Sequence, residues 1–277
     1  MQLFSAEQLK EWDDYTIRNT PISSLDLMEK ASAACFNWIK LNGFLHKPAY
    51  VFCGKGNNGG DGLAIARMIS RENQPVVVFI IETGSGGTPA FQANLERLRQ
   101  TEAEIHFIRS ARQLPVISAD AYIIDALFGT GLNRPLEGVY REITEFINRS
   151  DRPVISIDLP SGMMISSSSK GCPVVKARVT LTVQSVKLPF LFRENQEYVG
   201  QIVVLDCGLH PDYPEKTPTQ LELIESEWID QLIKPRRPFA HKGDYGHAAL
   251  FAGSPGMAGA AILAARACMR SGVGKLT

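Results

Sequence analysis

The chain has 277 residues, 44% hydrophobic and 21% charged, proportions ordinary for a globular protein with a sizeable core. Its 29 Lys and Arg balance 29 Asp and Glu, so no net field argues for nucleic acid or an anionic membrane as partner; backbone amides can still bind an anionic small ligand. The longest apolar runs, such as "PVVVFII", fall short of the roughly 18–20 residues of a membrane span.

Five scattered cysteines (Cys35, Cys53, Cys172, Cys207, Cys268) form no C-x-x-C pair and read as reduced thiols. The opening "MQLFSAEQLKEWDDYT" lacks the basic and apolar regions of a secretory signal and already reads as helix, so a soluble cytoplasmic protein is expected.

In chain order, Ser5 is a candidate N-cap for "SAEQLKEWDDYTIRN", and Leu27, Ala31, Ala34 and Trp38 set helical spacing in a second helix closing at Gly43. From residue 49 strands and helices alternate. "AYVFCG" precedes a helix over 61–72, "PVVVFII" reads as strand and "PAFQANLERLRQ" as helix. "EIHFI" and "AYIIDALFG" are strand-like, "LEGVYREITEFINRS" is helical, and "PVISIDLPSG", "ARVTLTV" and "QIVVLDCG" are strand-like again.

Continuously apolar strands between helices of ~10–15 residues predict an α/β fold with a mostly parallel sheet covered on both faces. The serine-rich stretch 163–173 reads as a loop. After "SEWIDQL", proline and basic residues cluster in "IKPRRPFAHKGDYG", which places a domain boundary at 235/236. Residues 236–277 bring another strand, glycine loop and helix, and stop at "VGKLT". Some 40 residues without staples do not make a self-sufficient domain, so this segment is expected to be the truncated start of a second one.

Three loops sit where such sheets bind ligands, outside the carboxyl ends of strands. In "AYVFCGKGNNGGDG", Gly54, Gly56 and Gly59 satisfy G-x-G-x-x-G, and Glu82 follows at the distance of a ribose-binding acid, which allows a nicotinamide-dependent oxidoreductase. Asn57, Asn58 and Asp61 exceed what that turn needs; glycines at positive φ and an Asp N-cap would explain all but the asparagines.

Asp125 ends an apolar strand before "GTGLNRP", whose amides and Arg134 could meet a phosphate; a loop-stabilising aspartate is the plainer alternative. Asp158 ends another strand before Leu159-Pro160, where it is a candidate general acid/base or the anchor of an Asx-turn. Ser161, the asparagines and Asp125 offer oxygens suited to a hard cation, not to zinc or copper. No G-x-S-x-G elbow supports serine chemistry, and His106, in an apolar strand-like run, reads as structural.

"GKGNNGGDG", "DALFGTGL" and "IDLPSG", in this order and spacing, resemble the NAD(P)H-hydrate epimerase family (the YjeF N-terminal domain), over residues 1–235 and including "VKARVTLTVQSVKLPFL". The tail from His241, with Lys242, Gly253 and Ala260, is similar to the opening of an ADP- or ATP-dependent NAD(P)H-hydrate dehydratase, a ribokinase-like domain. The resemblance implies a Rossmann-like three-layer α/β/α sandwich, assembled as a homodimer or higher homo-oligomer. It implies epimerisation of NADHX or NADPHX at C6 of the hydrated nicotinamide ring, for cofactor repair.

Substrate would be bound by Asn57, Asn58, Gly59, Gly60 and Asp61, by Gly129, Thr130, Gly131, Leu132, Asn133, Arg134 and Pro135, and by Asp158, the implied catalytic residue. One potassium ion per subunit would be held by Asn58, Asp125 and Ser161, and ADP or ATP would serve only the dehydratase half. After "IDLPSG" the chain departs from its relatives with "MMISSSSKGC". An oxidoreductase or a non-catalytic nucleotide- or partner-binding protein stands as the alternative.

Overall fold

The apolar runs become strands, and the amphipathic runs between them become helices. The computed structural model describes residues 1–84, 86–233 and 235–277; Ser85, and Lys234 inside the expected boundary segment, lie outside the described residues. Two compact units result, Met1–Leu223 and Ile224–Thr277, so "SEWIDQL" groups with the second.

The first unit opens with β1 (Gln2–Leu3), α1 (Ala6–Asn19) and α2 (Ser24–Leu41). Ser5 caps α1 in a full capping box with Gln8, and Gly43 takes φ +77° just beyond α2, the left-handed position that ends helices. Then follow β2 (Ala49–Cys53), α3 (Asn57–Arg71), β3 (Val76–Ile81), α4 (Pro89–Leu98), β4 (Glu104–Ile108), β5 (Tyr122–Ala126), α5 (Gly138–Arg149), β6 (Val154–Ile157) and β7 (Val179–Val183). The unit ends with α6 (Gln196–Val199), β8 (Gln201–Leu205), α7 (Asp212–Lys216) and β9 (Leu221–Glu222).

Seven strands form one sheet in the order β4-β3-β2-β5-β6-β7-β8, every neighbouring pair parallel. Strand side chains alternate between faces. Val51, Cys53, Val78, Ile80 and Ile124 pack under Ile39 of α2, Leu63, Ile65 and Ile69 of α3, and Leu95 and Leu98 of α4. Phe52, Phe79, Ile81 and Ile123 face the other way, against Ile143 and Ile147 of α5. The result is a Rossmann-like α/β sandwich; each fully buried Leu, Ile or Phe contributes about 1.5–3 kcal/mol.

A separate aromatic cluster of Phe4, Trp12 and Tyr213 ties α1 to α7, and the antiparallel β1–β9 ribbon joins the two ends of the unit. In the second unit α8 (Ser226–Leu232) precedes β10 (His247–Ala248), α9 (Gly259–Arg270) and β11 (Lys275–Leu276); β10 and β11 pair in parallel, and α9 buries no residue. Among the described residues no helix is long and apolar enough to cross a membrane.

Candidate active site

Strand order reverses between β2 and β5, so the crevice outside their carboxyl ends is where this topology binds ligands. The chain leaves β2 through Gly54, whose N–H donates to the Ala126 carbonyl at 3.1 Å, and α3 begins at Asn57, four residues ahead of the expected 61–72. Its N-cap is Gly56 and no side chain caps it, which leaves first-turn amides available to a ligand.

None of Gly54, Gly56, Gly59 or Gly60 has positive φ; closeness is what glycine supplies here. A Cβ on Gly59 would stand 1.8 Å from the Gly54 carbonyl oxygen. Asp61 is not a cap. It lies within α3 and accepts a hydrogen bond from Ser32 of α2 at 3.1 Å. Burial first, and the charges of Asp158 and Asp13 in addition, push its carboxyl up to about 8.

Asn58 is 9% exposed, and neither Oδ1 nor Nδ2 of its buried amide has a hydrogen-bond partner among the described residues. Groups like this are rare and call for a ligand. Glu82, just past β3, is ion-paired with Lys55, which occupies the acid that a ribose would need.

Asp125 is fully buried on β5, opposite Ser156 of β6 in the sheet register. Oδ2 accepts from Ser156 Oγ and the Ser161 amide, both at 2.8 Å; Oδ1 accepts from Ser161 Oγ at 2.5 Å and the Leu127 amide at 3.4 Å. Burial raises this carboxyl against the lowering effect of those bonds. The same Ser161 Oγ accepts from the Phe128 amide at 2.9 Å, tying the loop after β5 to the turn after β6.

Asp158 sits in that turn at φ +65°, a left-handed conformation that Asp and Asn tolerate better than other side chains, with its N–H on the Leu181 carbonyl at 2.8 Å. Its Oδ1 is 2.8 Å from Nζ of Lys187, whose side chain is 3% exposed. On the other side a Cβ at Gly129 would lie 2.9 Å from Asp158 Oδ2 and 3.4 Å from Asn58 Cγ, so the loop passes directly between these two side chains.

The structure thus brings Asn58, Gly129 and Asp158 together, with Asp125 and Ser161 one step away through Phe128. Leu132 is buried, while Asn133, Arg134 and Pro135 are exposed. The side chains of Asn57, Thr130, Asn133 and Arg134 make no hydrogen bond or ion pair among the described residues. His106 is far from this chemistry, on edge strand β4 beside Glu104 at 2.6 Å.

Two participants were invisible to motif reading. Lys187 lies in "VKLPFL", and its signal was a single charge inside an apolar run. Asp13 of α1 has an exposed side chain, yet it lies close enough to the other carboxyls that desolvation first, and then the charge of Asp158, pushes its carboxyl up to about 6. Nothing in "KEWDDYT" marks that residue, because the two charges are brought near each other only by the fold.

An all-parallel doubly wound sheet with convergent polar groups at its switch point defines a Rossmann-like α/β sandwich with one ligand crevice. Comparison with known proteins narrows this. Residues 24–188 match the model of the family described as YjeF-related protein N-terminus. A bifunctional NAD(P)H-hydrate repair enzyme Nnr of Thermofilum pendens is 34% identical over 99% of this chain and 52% of its own length. An NAD(P)H-hydrate epimerase of Limosilactobacillus fermentum is 35% identical over 74% of this chain and 96% of its own.

The crystal structure of the yeast protein ynu0 (YNL200c) superposes with a TM-score of 0.67, covering 82% of this chain and 98% of that one at 21% identity, a likeness of fold. The chain spans about half the length of the bifunctional relatives it matches. It belongs to the YjeF-related N-terminal family.

Proposed function

We propose that this chain is an NAD(P)H-hydrate epimerase, interconverting the R and S forms of NADHX and NADPHX at C6 for cofactor repair. The observation that carries the reading is the Asp158 carboxylate, held on one oxygen by Lys187 and turned on the other toward Gly129 in the switch-point crevice. Relatives named for that activity support it.

The chemistry asks little more than a placed carboxyl. C6 of the hydrated ring bears a hydroxyl beside the ring nitrogen, so breaking either the C–O or the C–N bond erases the stereocentre. Protonating the hydroxyl expels water, which re-adds to the other face; removing its proton opens the ring, which recloses on the other face. In both routes the protein's part is to move protons, and Asp158 is the group that moves them.

Asn57, Asn58, Gly59, Gly60 and Asp61 would hold the hydrate from the start of α3. Gly129, Thr130, Gly131, Leu132, Asn133, Arg134 and Pro135 would hold it from the facing loop, with the Arg134 guanidinium open to a phosphate.

Potassium fits the donor set. Asn58 contributes a buried carbonyl oxygen without a partner, Asp125 a buried charge with no cationic side chain on it among the described residues, and Ser161 a neighbouring oxygen. When bound, the ion supplies a fixed positive charge to the crevice. Residues 1–235 form the epimerase domain in this reading. Residues 236–277 are the start of a ribokinase-like hydrate dehydratase domain, to which any ADP or ATP use belongs. The protein is a cytoplasmic homodimer or higher homo-oligomer. The Lys55–Glu82 pair weighs against a dehydrogenase.

The test is an R/S mixture of NADHX given to this chain together with an S-specific dehydratase. Consumption of both epimers is expected; loss of the S form alone refutes the reading. Asp158→Asn should abolish epimerisation while hydrate binding persists, and wild-type turnover in that variant would remove Asp158 from the mechanism.

A further inference from the structure

Lysine ammonium groups are seldom buried without a partner, yet Lys187 is 2% exposed. Three oxygens surround its Nζ. It donates to Thr182 Oγ1 at 2.6 Å and to the Val183 carbonyl at 2.7 Å, and stands 2.8 Å from Asp158 Oδ1. The first two are neutral. Burying the ammonium is tolerable only if Asp158 carries the compensating charge.

Strand β7 supplies both neutral acceptors, and its Leu181 also takes the Asp158 N–H, while Lys187 follows four residues beyond its end. No group among the described residues hydrogen-bonds Oδ2, the oxygen beside Gly129.

Resting on the epimerase reading, we propose that Lys187 is a positioning residue: it binds Oδ1 and fixes the Asp158 carboxylate, so that Oδ2 takes the C6 hydroxyl proton and the ring opens and recloses without losing water. The O–H electron pair becomes the second C–O bond of an aldehyde, and the C6–N bond breaks with its electrons passing to nitrogen. Asp158 then hands the proton to that nitrogen. Rotation about the C5–C6 bond turns the other aldehyde face inward. Nitrogen attacks it, and its proton returns through Asp158 to oxygen. The carboxylate is regenerated and nothing is consumed.

A dehydration route would instead begin with an acid. Asp61 and Asp13, whose carboxyls are both pushed up, are the neighbouring groups that could serve it. The two routes differ in the fate of one oxygen.

The experiment uses the whole chain and the R hydrate in oxygen-18 water. Epimerised product should keep its original C6 oxygen; one solvent oxygen per epimerisation, above the uncatalysed exchange, overturns the proposal. Lys187→Met should lower kcat about 100-fold with KM moving less than about threefold. Wild-type kcat in Lys187→Met, or a loss carried by KM with kcat unchanged, overturns the role of Lys187. If the methionine variant does not fold, Lys187→Gln, which can still donate to Thr182, gives the same readings. An unaltered chain that does not epimerise at all removes the underlying reading, and that is seen before any variant is made.

Discussion

Replacing Asp61 by asparagine should stabilise the protein at neutral and alkaline pH. The carboxyl is pushed up to about 8 in the folded chain, chiefly by burial, and returns to about 3.9 when the chain unfolds. Between those values the folded state holds a proton that the unfolded state has lost. Stability therefore falls as pH rises, by at most about 1.4 kcal/mol per unit, and levels off above about 8.

This is the reverse of the usual paired carboxylate. From pH 6 to 8 the limit is roughly 2–3 kcal/mol. Asp61 retains some contact with water, which brings the working figure down to about 1–2 kcal/mol. Asparagine keeps the shape, can still accept from Ser32 Oγ, and has no proton to lose. Urea unfolding followed by tryptophan fluorescence reports on the first unit through Trp12, which is 5% exposed. The wild type should lose stability from pH 6 to 8 and Asp61→Asn should not. The Asp13 carboxyl, pushed up to about 6, gives its slope mainly below this range. A wild type whose stability is level or rises over that range, or a variant that falls as steeply, refutes the reasoning.

Gly59→Ala would force a methyl against the Gly54 carbonyl, 1.8 Å from its oxygen and 2.7 Å from its carbon, where backbone on both sides has no cheap way to yield. It should cost about 3 kcal/mol, read as a lowered urea midpoint, and an unchanged midpoint would refute the close approach of α3 to β2. Asn58→Ala removes two buried polar atoms that lack partners, so without potassium it should change stability by less than about 1 kcal/mol. The wild type should melt higher in potassium than in tetramethylammonium at equal ionic strength, and the variant should lose that gain. Equal gains in both would place the ion elsewhere.

The sheet was legible because a strand buried on both faces must be apolar throughout, and "AYVFC", "VVVFII" and "YIIDA" are nearly so. The start of α3 was not. "NNGGDG" carries poor helix formers, and propensity reads it as a turn, yet tertiary packing of Gly59 and Gly62 against β2 and β5 draws those residues into the helix. β1 and β9 leave no trace in the sequence because two residues hold no periodicity.

Within the site, Asp125 and Asp158 stood out as charges at the ends of apolar strands. Lys187 was hidden for a related reason: a lysine sunk in an apolar segment reads as a stray surface charge until its partner, 29 positions earlier, is known to be 2.8 Å away. Asp13 could be found only from the fold, since nothing local in α1 points toward β6.

The β1–β9 ribbon has a consequence for how this unit can be joined to others. The Met1 ammonium donates to the Leu223 carbonyl at 2.9 Å, and the Leu223 amide to the Met1 carbonyl at 2.8 Å, so the first and last residues of the unit are hydrogen-bonded to each other. A short bridge between them would close the chain into a circle without moving a strand, and the exposed serines 166–168 offer a place to reopen it.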